Sequence, residues 1–397
     1  MCAIKKNKRK KKSKRKNNTR SPARIMGQVI FLKKWLSLLL IFLMLVSAPL
    51  PASAGSGAFL VMDGRTGTVL EEENGDACLP MASTTKIMTA LVVLERVGLS
   101  DAVVIPAEAA GVEGSSLYIK AGETYTVEEL LYGLMLQSAN DCAVALAWYA
   151  GGESVAEFVA MMNRKAADLG LTKTHFENPN GLSAQGHQTT ARELAMIMAA
   201  AMENEQFRVI TGTKRYTVKG HTIVNHNKLL SIYDGCIGGK TGYTMEAGRC
   251  LVTVAQREGA PLICVTLGRR DDWNIHTEAY EKWFQTLSNV TLAEKESFSV
   301  SLPLAGGGTV NAVNCDKVCG NLFQYDGSIE TKVLAGPFVY GNREAGDVAG
   351  TVEFWYRGVK ISESPLVLTE AVEAPIKKEL FITRIFRFFR RLFLKKQ

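Results

Sequence analysis

Three short motifs in a fixed order constrain this chain most: Ser83-Thr84-Thr85-Lys86, Ser138-Ala139-Asn140 and Lys240-Thr241-Gly242. Together they ask for a fold in which a helix start, an interhelical loop and an edge strand meet at one cleft. Lys86 follows Ser83 by three residues, and on a helix such positions share a face, so the amine reaches the hydroxyl. Pro80 precedes the motif, and the mostly apolar Ile87, Met88, Leu91, Val92 and Leu94 follow, which predicts a helix with Ser83 at its N-terminus. A serine hydroxyl is a weak nucleophile until a base takes its proton. A lysine serves as that base only when desolvation or a nearby positive charge lowers its pKa, and Lys240 is the candidate for the second charge. Taken alone, Ser83 reads equally well as an N-cap and Lys86 as a surface lysine.

The second triplet lies between two apolar runs, 130–136 and 142–147, and this pattern predicts a tight loop between buried helices projecting into a cleft. Ser138 would relay a proton to a leaving amine and Asn140 would hold a substrate amide. The competing reading is a plain turn capped by Asn140 or Asp141, and Asp141 is assigned to such a supporting role. The third triplet precedes two runs, 250–255 and 262–267, joined by Glu258-Gly259-Ala260-Pro261, the pattern of a β-hairpin. On its edge strand, Lys240 and Thr241 would bind a carboxylate. Gly242 would let substrate backbone approach closely. The N–H groups of Ser83 and Tyr243 would stabilise an oxyanion.

The surrounding segments are more specific than the motifs. Residues 81–90, residues 130–141, Asn178-Pro179-Asn180-Gly181-Leu182, His187 with residues 189–195, and Lys240 to Thr244 with Ala247-Gly248 resemble the D-alanyl-D-alanine carboxypeptidases, the low-molecular-mass penicillin-binding proteins. The likeness is dense over residues 57–270. It implies an α/β (α+β) catalytic domain of the serine β-lactamase and penicillin-binding-protein type, with an antiparallel sheet and a helical cluster. It also implies a reaction in which a serine attacks the penultimate D-alanine carbonyl of a peptidoglycan stem peptide, releases D-alanine and is freed by water. β-Lactam antibiotics would acylate the same serine. By matching position, Ser83 would be nucleophile, Lys86 general base and Ser138 proton relay, with Asn140, Lys240, Thr241, Gly242 and Tyr243 at the substrate. Many relatives carry glycine where this chain has Ala139.

Residues 1–54 hold fourteen Lys or Arg and no acidic residue; a basic stretch, the apolar run 36–46 and Ala52-Ser53-Ala54 predict a secretory signal. Met26 begins an ordinary signal by itself, which suggests an upstream start assignment. At the other end, residues 375–397 place four arginines opposite an aromatic and aliphatic face, the pattern of an amphipathic helix lying on a membrane. The whole chain has 47 basic and 39 acidic residues, whereas residues 55–374 hold 25 basic and 38 acidic, a net charge of −13. An acidic body argues against nucleic acid as partner, and a basic tail suits anionic lipid.

The expected organisation is therefore a signal at 1–54, a catalytic domain at 55–287, a small β-sandwich-like domain at 288–374 serving as a spacer, and the anchor at 375–397. The expected location is the outer face of the cytoplasmic membrane. Within the catalytic part, strands around Asp63-Gly64-Arg65-Thr66-Gly67 open the sheet and a helix over 273–287 closes it. Of eight cysteines, Cys250 and Cys264 read as buried small apolar residues, while Cys315 and Cys319 could pair or remain free. No H-E-x-x-H is present and no cofactor is expected. A serine β-lactamase using Glu177 in deacylation, and a penicillin-binding sensor without turnover, are the competing readings.

Overall fold

The computed structural model describes residues 57–373; the predicted signal and amphipathic helix lie outside the described residues. Strand β1 (Ala58–Asp63) turns back through Asp63, whose carboxylate accepts from the Arg65 N–H and the Thr66 hydroxyl, into β2 (Val69–Glu73). The chain then enters a 3₁₀ turn at Ala82–Thr85 that runs directly into α1 (Lys86–Arg96). A small hairpin, β3 (Ala102–Val104) with β4 (Thr124–Thr126), leads into α2 (Val127–Leu136). There Thr126 and Glu129 form a reciprocal capping box, which satisfies two backbone donors that a helix start leaves open. Helices α3 (Asn140–Ala150), α4 (Val155–Asp168), α5 (Ala191–Glu203) and α6 (Glu205–Gly212) complete a helical cluster.

After a hairpin of β5 (Arg215–Val218) and β6 (His221–Val224), the chain returns to the sheet as β7 (Cys236–Thr244), β8 (Gly248–Arg257) and β9 (Ala260–Leu267). The five-stranded antiparallel sheet has the order β2-β1-β9-β8-β7, which leaves β7 at an edge as its sequence predicted. Alternation along β8 and β9 sends Val252, Val254, Ile263 and Val265 toward the helical cluster, and Leu251, Leu262 and Cys264 to the opposite face. Helix α7 (Asp272–Phe284) covers that second face with Tyr280 and Phe284. Burying both faces of one sheet gives the site a rigid floor.

The chain continues as an all-β region. Strand β10 (Ser288–Ala293) pairs with β13 (Val318–Leu322). Strands β11 (Ser299–Pro303), β12 (Thr309–Asn314), β14 (Glu330–Ala335), β15 (Val348–Tyr356) and β16 (Val359–Leu368) form a sheet of order β11-β12-β16-β15-β14. It has its own apolar core, including Leu302, Val310, Phe354 and Leu366. It meets the catalytic part through Phe284 and Phe323, whose ring centroids lie 6.0 Å apart, and through Asn321 Nδ2 donating to the Glu258 carbonyl at 2.9 Å. All seven cysteines in the described region are free thiols, Cys315 and Cys319 included.

Candidate active site

The three motifs converge. Ser83 stands in the 3₁₀ turn ahead of α1, and Lys86 is the first α-helical residue. In a 3₁₀ turn, side chains three residues apart eclipse, which brings amine and hydroxyl together more directly than an α-helix would. Lys86 Nζ lies 2.9 Å from Ser83 Oγ. The same nitrogen donates to Asn140 Oδ1 at 2.6 Å and to the Asn180 carbonyl. A neutral amine has two hydrogens and one lone pair. With both hydrogens committed to carbonyl acceptors, the lone pair faces the serine. Lys86 is fully buried, and burial, followed by the charge of Lys240, holds its pKa well below the ordinary lysine range.

Ser138 takes a left-handed backbone (φ 61°) in the loop between α2 and α3, and its hydroxyl accepts from Lys240 Nζ at 2.9 Å. Lys240 also donates to the Thr241 carbonyl at 2.8 Å. It too is buried, and burial brings its pKa down to about 7. Ala82, just before the nucleophile, has φ 47°, so two non-glycine residues bearing on the cleft hold an uncommon conformation. Gly242 needs its missing side chain: a Cβ there would stand 3.0 Å from Ser83 N and 3.2 Å from Thr84 N. The neighbour that demands the glycine in this structure is the nucleophile turn, whereas the sequence reading assigned it to substrate.

Thr241, Gly242 and Tyr243 line a cleft of about 600 Å³ together with Ser83 and Ser138. Lys86, Asn140 and Lys240 stand behind that lining. Asn140, read from sequence as a substrate contact, is engaged at both ends: its Oδ1 takes Lys86 and its Nδ2 donates to the Glu113 carbonyl at 2.6 Å. Asp141 is fully buried in the first turn of α3, where it accepts from the Cys142 N–H at 2.8 Å; it also accepts from the Ser116 hydroxyl and from the N–H groups of Leu117 and Ile119, the supporting role read from sequence.

Several contributors had no role in the sequence reading, although residues 178–182 and His187 stood among its family-like segments. The Asn178–Leu182 loop supplies the Asn180 carbonyl and is tied down by Asn178 Oδ1, which accepts from Gly181 N at 2.7 Å, and by Thr89 Oγ1 donating to Pro179 O at 2.6 Å. His187 Nδ1 accepts from the Glu177 N–H at 3.0 Å, so its proton sits on Nε2 and points at Thr85 Oγ1, 2.7 Å away. Thr85 in turn donates to the Ala82 carbonyl at 2.8 Å. Burial, with smaller contributions from His175 and Lys86, lowers the His187 pKa to about 4. Arg249, Asp272 and Trp273 form one end of the cleft: the Arg249 guanidinium bonds the buried Asp272 carboxylate at 2.8–3.1 Å and lies over the Trp273 ring. The hairpin register gave a signal for Arg249, because it pairs with Tyr243. A backbone carbonyl such as that of Asn180 leaves no sequence signal. Glu177 pairs with His175 at 3.0 Å, with both side chains about half exposed, and does not line the cleft.

A family model described as D-alanyl-D-alanine carboxypeptidase matches residues 45–271. The chain is 36% identical over 259 residues to the D-alanyl-D-alanine carboxypeptidase DacF of Bacillus subtilis, a match covering 60% of this chain and 66% of that one. It is 33% identical over 355 residues to the D-alanyl-D-alanine carboxypeptidase DacC of Escherichia coli, covering 83% and 86% of the two chains. Among solved structures, the D-alanyl-D-alanine carboxypeptidase DacD of Francisella tularensis superposes with a TM-score of 0.57 at 25% identity, covering 82% of this chain and 96% of that one.

Proposed function

The chain belongs to the D-alanyl-D-alanine carboxypeptidase family, and from that premise we propose how its residues divide the work. It is a serine-type carboxypeptidase acting on peptidoglycan stem peptides, and β-lactams acylate it. Lys86, neutral, takes the proton of Ser83 Oγ as that oxygen bonds to the carbonyl carbon of the penultimate D-alanine. The N–H groups of Ser83 and Tyr243 hold the resulting oxyanion. When the intermediate collapses, the C–N bond breaks. The leaving nitrogen takes a proton from Ser138, which Lys240 replenishes. D-Alanine departs, and the proton that Lys86 took from Ser83 returns to Lys240. Lys86, neutral again, takes a proton from the water that attacks the ester carbonyl; the C–O bond breaks, and the same proton passes to Ser83 Oγ, giving the tetrapeptide and free Ser83.

The terminal carboxylate is bound by Thr241 and by the charge of Lys240, as the motif reading assigned. Because Lys240 is buried against Ser138, its charge reaches the carboxylate mainly through that hydroxyl. Arg249, its side chain 41% exposed, supplies the accessible charge. Asn140 positions the substrate by positioning the base. Export by the N-terminal signal and attachment of residues 375–397 to anionic lipid would place this chemistry at the outer face of the cytoplasmic membrane.

The observation that carries this reading is the Lys86 amine held by two carbonyls with its third direction on Ser83. D-Alanine release from a peptide ending in Lys-D-Ala-D-Ala, lost in Ser83→Ala and blocked by penicillin, is the expected result. Rapid penicillin hydrolysis would mean a β-lactamase. A penicillin-acylated protein that releases no D-alanine would mean a sensor.

A further inference from the structure

The segment joining β3 to β4 takes no part in the reaction above, yet it closes on the site from outside. The Ser115 carbonyl accepts from Asn140 N at 2.7 Å, and the Glu113 carbonyl accepts from Asn140 Nδ2. Between them Gly114, at φ 92°, comes so near that a Cβ there would lie 2.8 Å from Asn140 Nδ2. The buried Asp141 carboxylate fastens the next residues through Ser116, Leu117 and Ile119. One side of this segment lines the catalytic cleft at Ser115. Its other side opens a second pocket of about 370 Å³ whose lining includes the apolar Ala110, Val112 and Ile119 as well as Ser116, Tyr118 and Lys120.

Tyr118 is the unusual member. It is 84% exposed and sits at φ 60°, its N–H held by Ser116 Oγ at 3.0 Å. A bulky residue in the left-handed region is strained, so the fold sacrifices some stability to present this ring to solvent. The pocket is shallow and largely apolar, with an amine and the oxygen of a hydroxyl, whose proton is held by Asp141, beside one flat aromatic. That combination fits a sugar ring, which offers an apolar C–H face bordered by hydroxyls, better than an apolar side chain, which needs an enclosed pocket.

We propose that this outer pocket is a carbohydrate subsite, in which Tyr118 stacks on a sugar of the glycan that carries the stem peptide while Ser116 and Lys120 bond its hydroxyls. The inference rests on the stem-peptide reading above. The two pockets share the Ser115–Ser116 wall, so a substrate filling the first continues across the second. Sugar on Tyr118 would also press on the segment whose carbonyls orient Asn140, and through it Lys86.

The test compares D-alanine release from a free stem pentapeptide and from the same pentapeptide joined to its disaccharide, using the full chain. Tyr118→Ala is expected to lower kcat/KM about tenfold for the disaccharide-linked substrate and less than twofold for the free peptide; Tyr118→Trp is expected to retain the preference. Equal losses on both substrates, or no preference in the unaltered protein, would overturn the subsite. A separate titration of the peptide-free disaccharide into the Ser83→Ala chain decides the matter even without turnover. Saturable binding lost in Tyr118→Ala supports the subsite, and absence of binding removes it. Failure of the unaltered chain to release D-alanine from either substrate would instead sink the stem-peptide reading.

Discussion

Two buried lysines face one cleft from opposite sides, and their surroundings differ in kind. Lys86 is pinned by the amide oxygen of Asn140 at the start of α3 and by the Asn180 carbonyl of a separate loop, whereas Lys240 is held by the Ser138 hydroxyl and the carbonyl of its own neighbour. Neither has an acidic partner among its hydrogen bonds. Carbonyls accept hydrogen bonds without neutralising charge, so burial weakens the cation at both positions, joined at Lys86 by the charge of Lys240. The difference lies in direction. Two fixed acceptors aim the lone pair of Lys86, as a base requires; a hydroxyl both donates and accepts, and it passes a proton on, as a relay requires.

The comparison breaks most sharply at the base. Lys86→Met should lower the rate of acylation by penicillin by about three orders of magnitude, the scale of general-base catalysis, while the protein stays folded. Stopped-flow acylation with a fluorescent penicillin checks this, and near-normal acylation would move the base elsewhere. Lys240→Met should cost less, about a hundredfold, and should leave a second signature. Removing a positive neighbour lets Lys86 hold its proton to higher pH, so the acid limb of the acylation profile should shift upward. A profile unmoved along the pH axis would show the two lysines to be electrostatically independent.

Gly114→Ala tests the same distinction from behind the base. Its Cβ would press on the Asn140 amide that aims Lys86, and about a tenfold fall in acylation is expected, from misplacement of a reacting group rather than loss of one. Circular dichroism should show the fold retained. The smallest effect concerns stability. Burial depresses His187 to about 4 and His276 to about 3, so the unfolded chain binds protons there before the folded chain does. Stability should therefore fall as pH drops from the unfolded value near 6.5 toward 4. In His187→Gln that acid slope should be shallower, as melting temperatures at pH 7 and pH 4.5 would reveal.

Much of the site was legible as residue types at set spacings. Ser83 and Lys86 share a turn because their separation matches the helical repeat, and Ser138 falls between two helices because apolar runs flank it. Lys240 lies on an edge strand because β7 pairs only with β8, the first strand of the hairpin that follows it. The roles of Asn140 and Gly242 read differently in the structure. Their spacing located them, but the groups they touch come from residues 113 and 83, and no local pattern reports such contacts.

The sequence by itself determined which groups carry the chemistry and which local elements present them, because periodicity and side-chain identity act over a few residues. Only the tertiary structure decided what restrains those groups: the carbonyls of Asn180 and Glu113, the His187–Thr85 contact, and the Arg249–Asp272 pair at the end of the cleft. Every residue carries a carbonyl, so a backbone acceptor is specified by where the chain passes and by nothing written at that position.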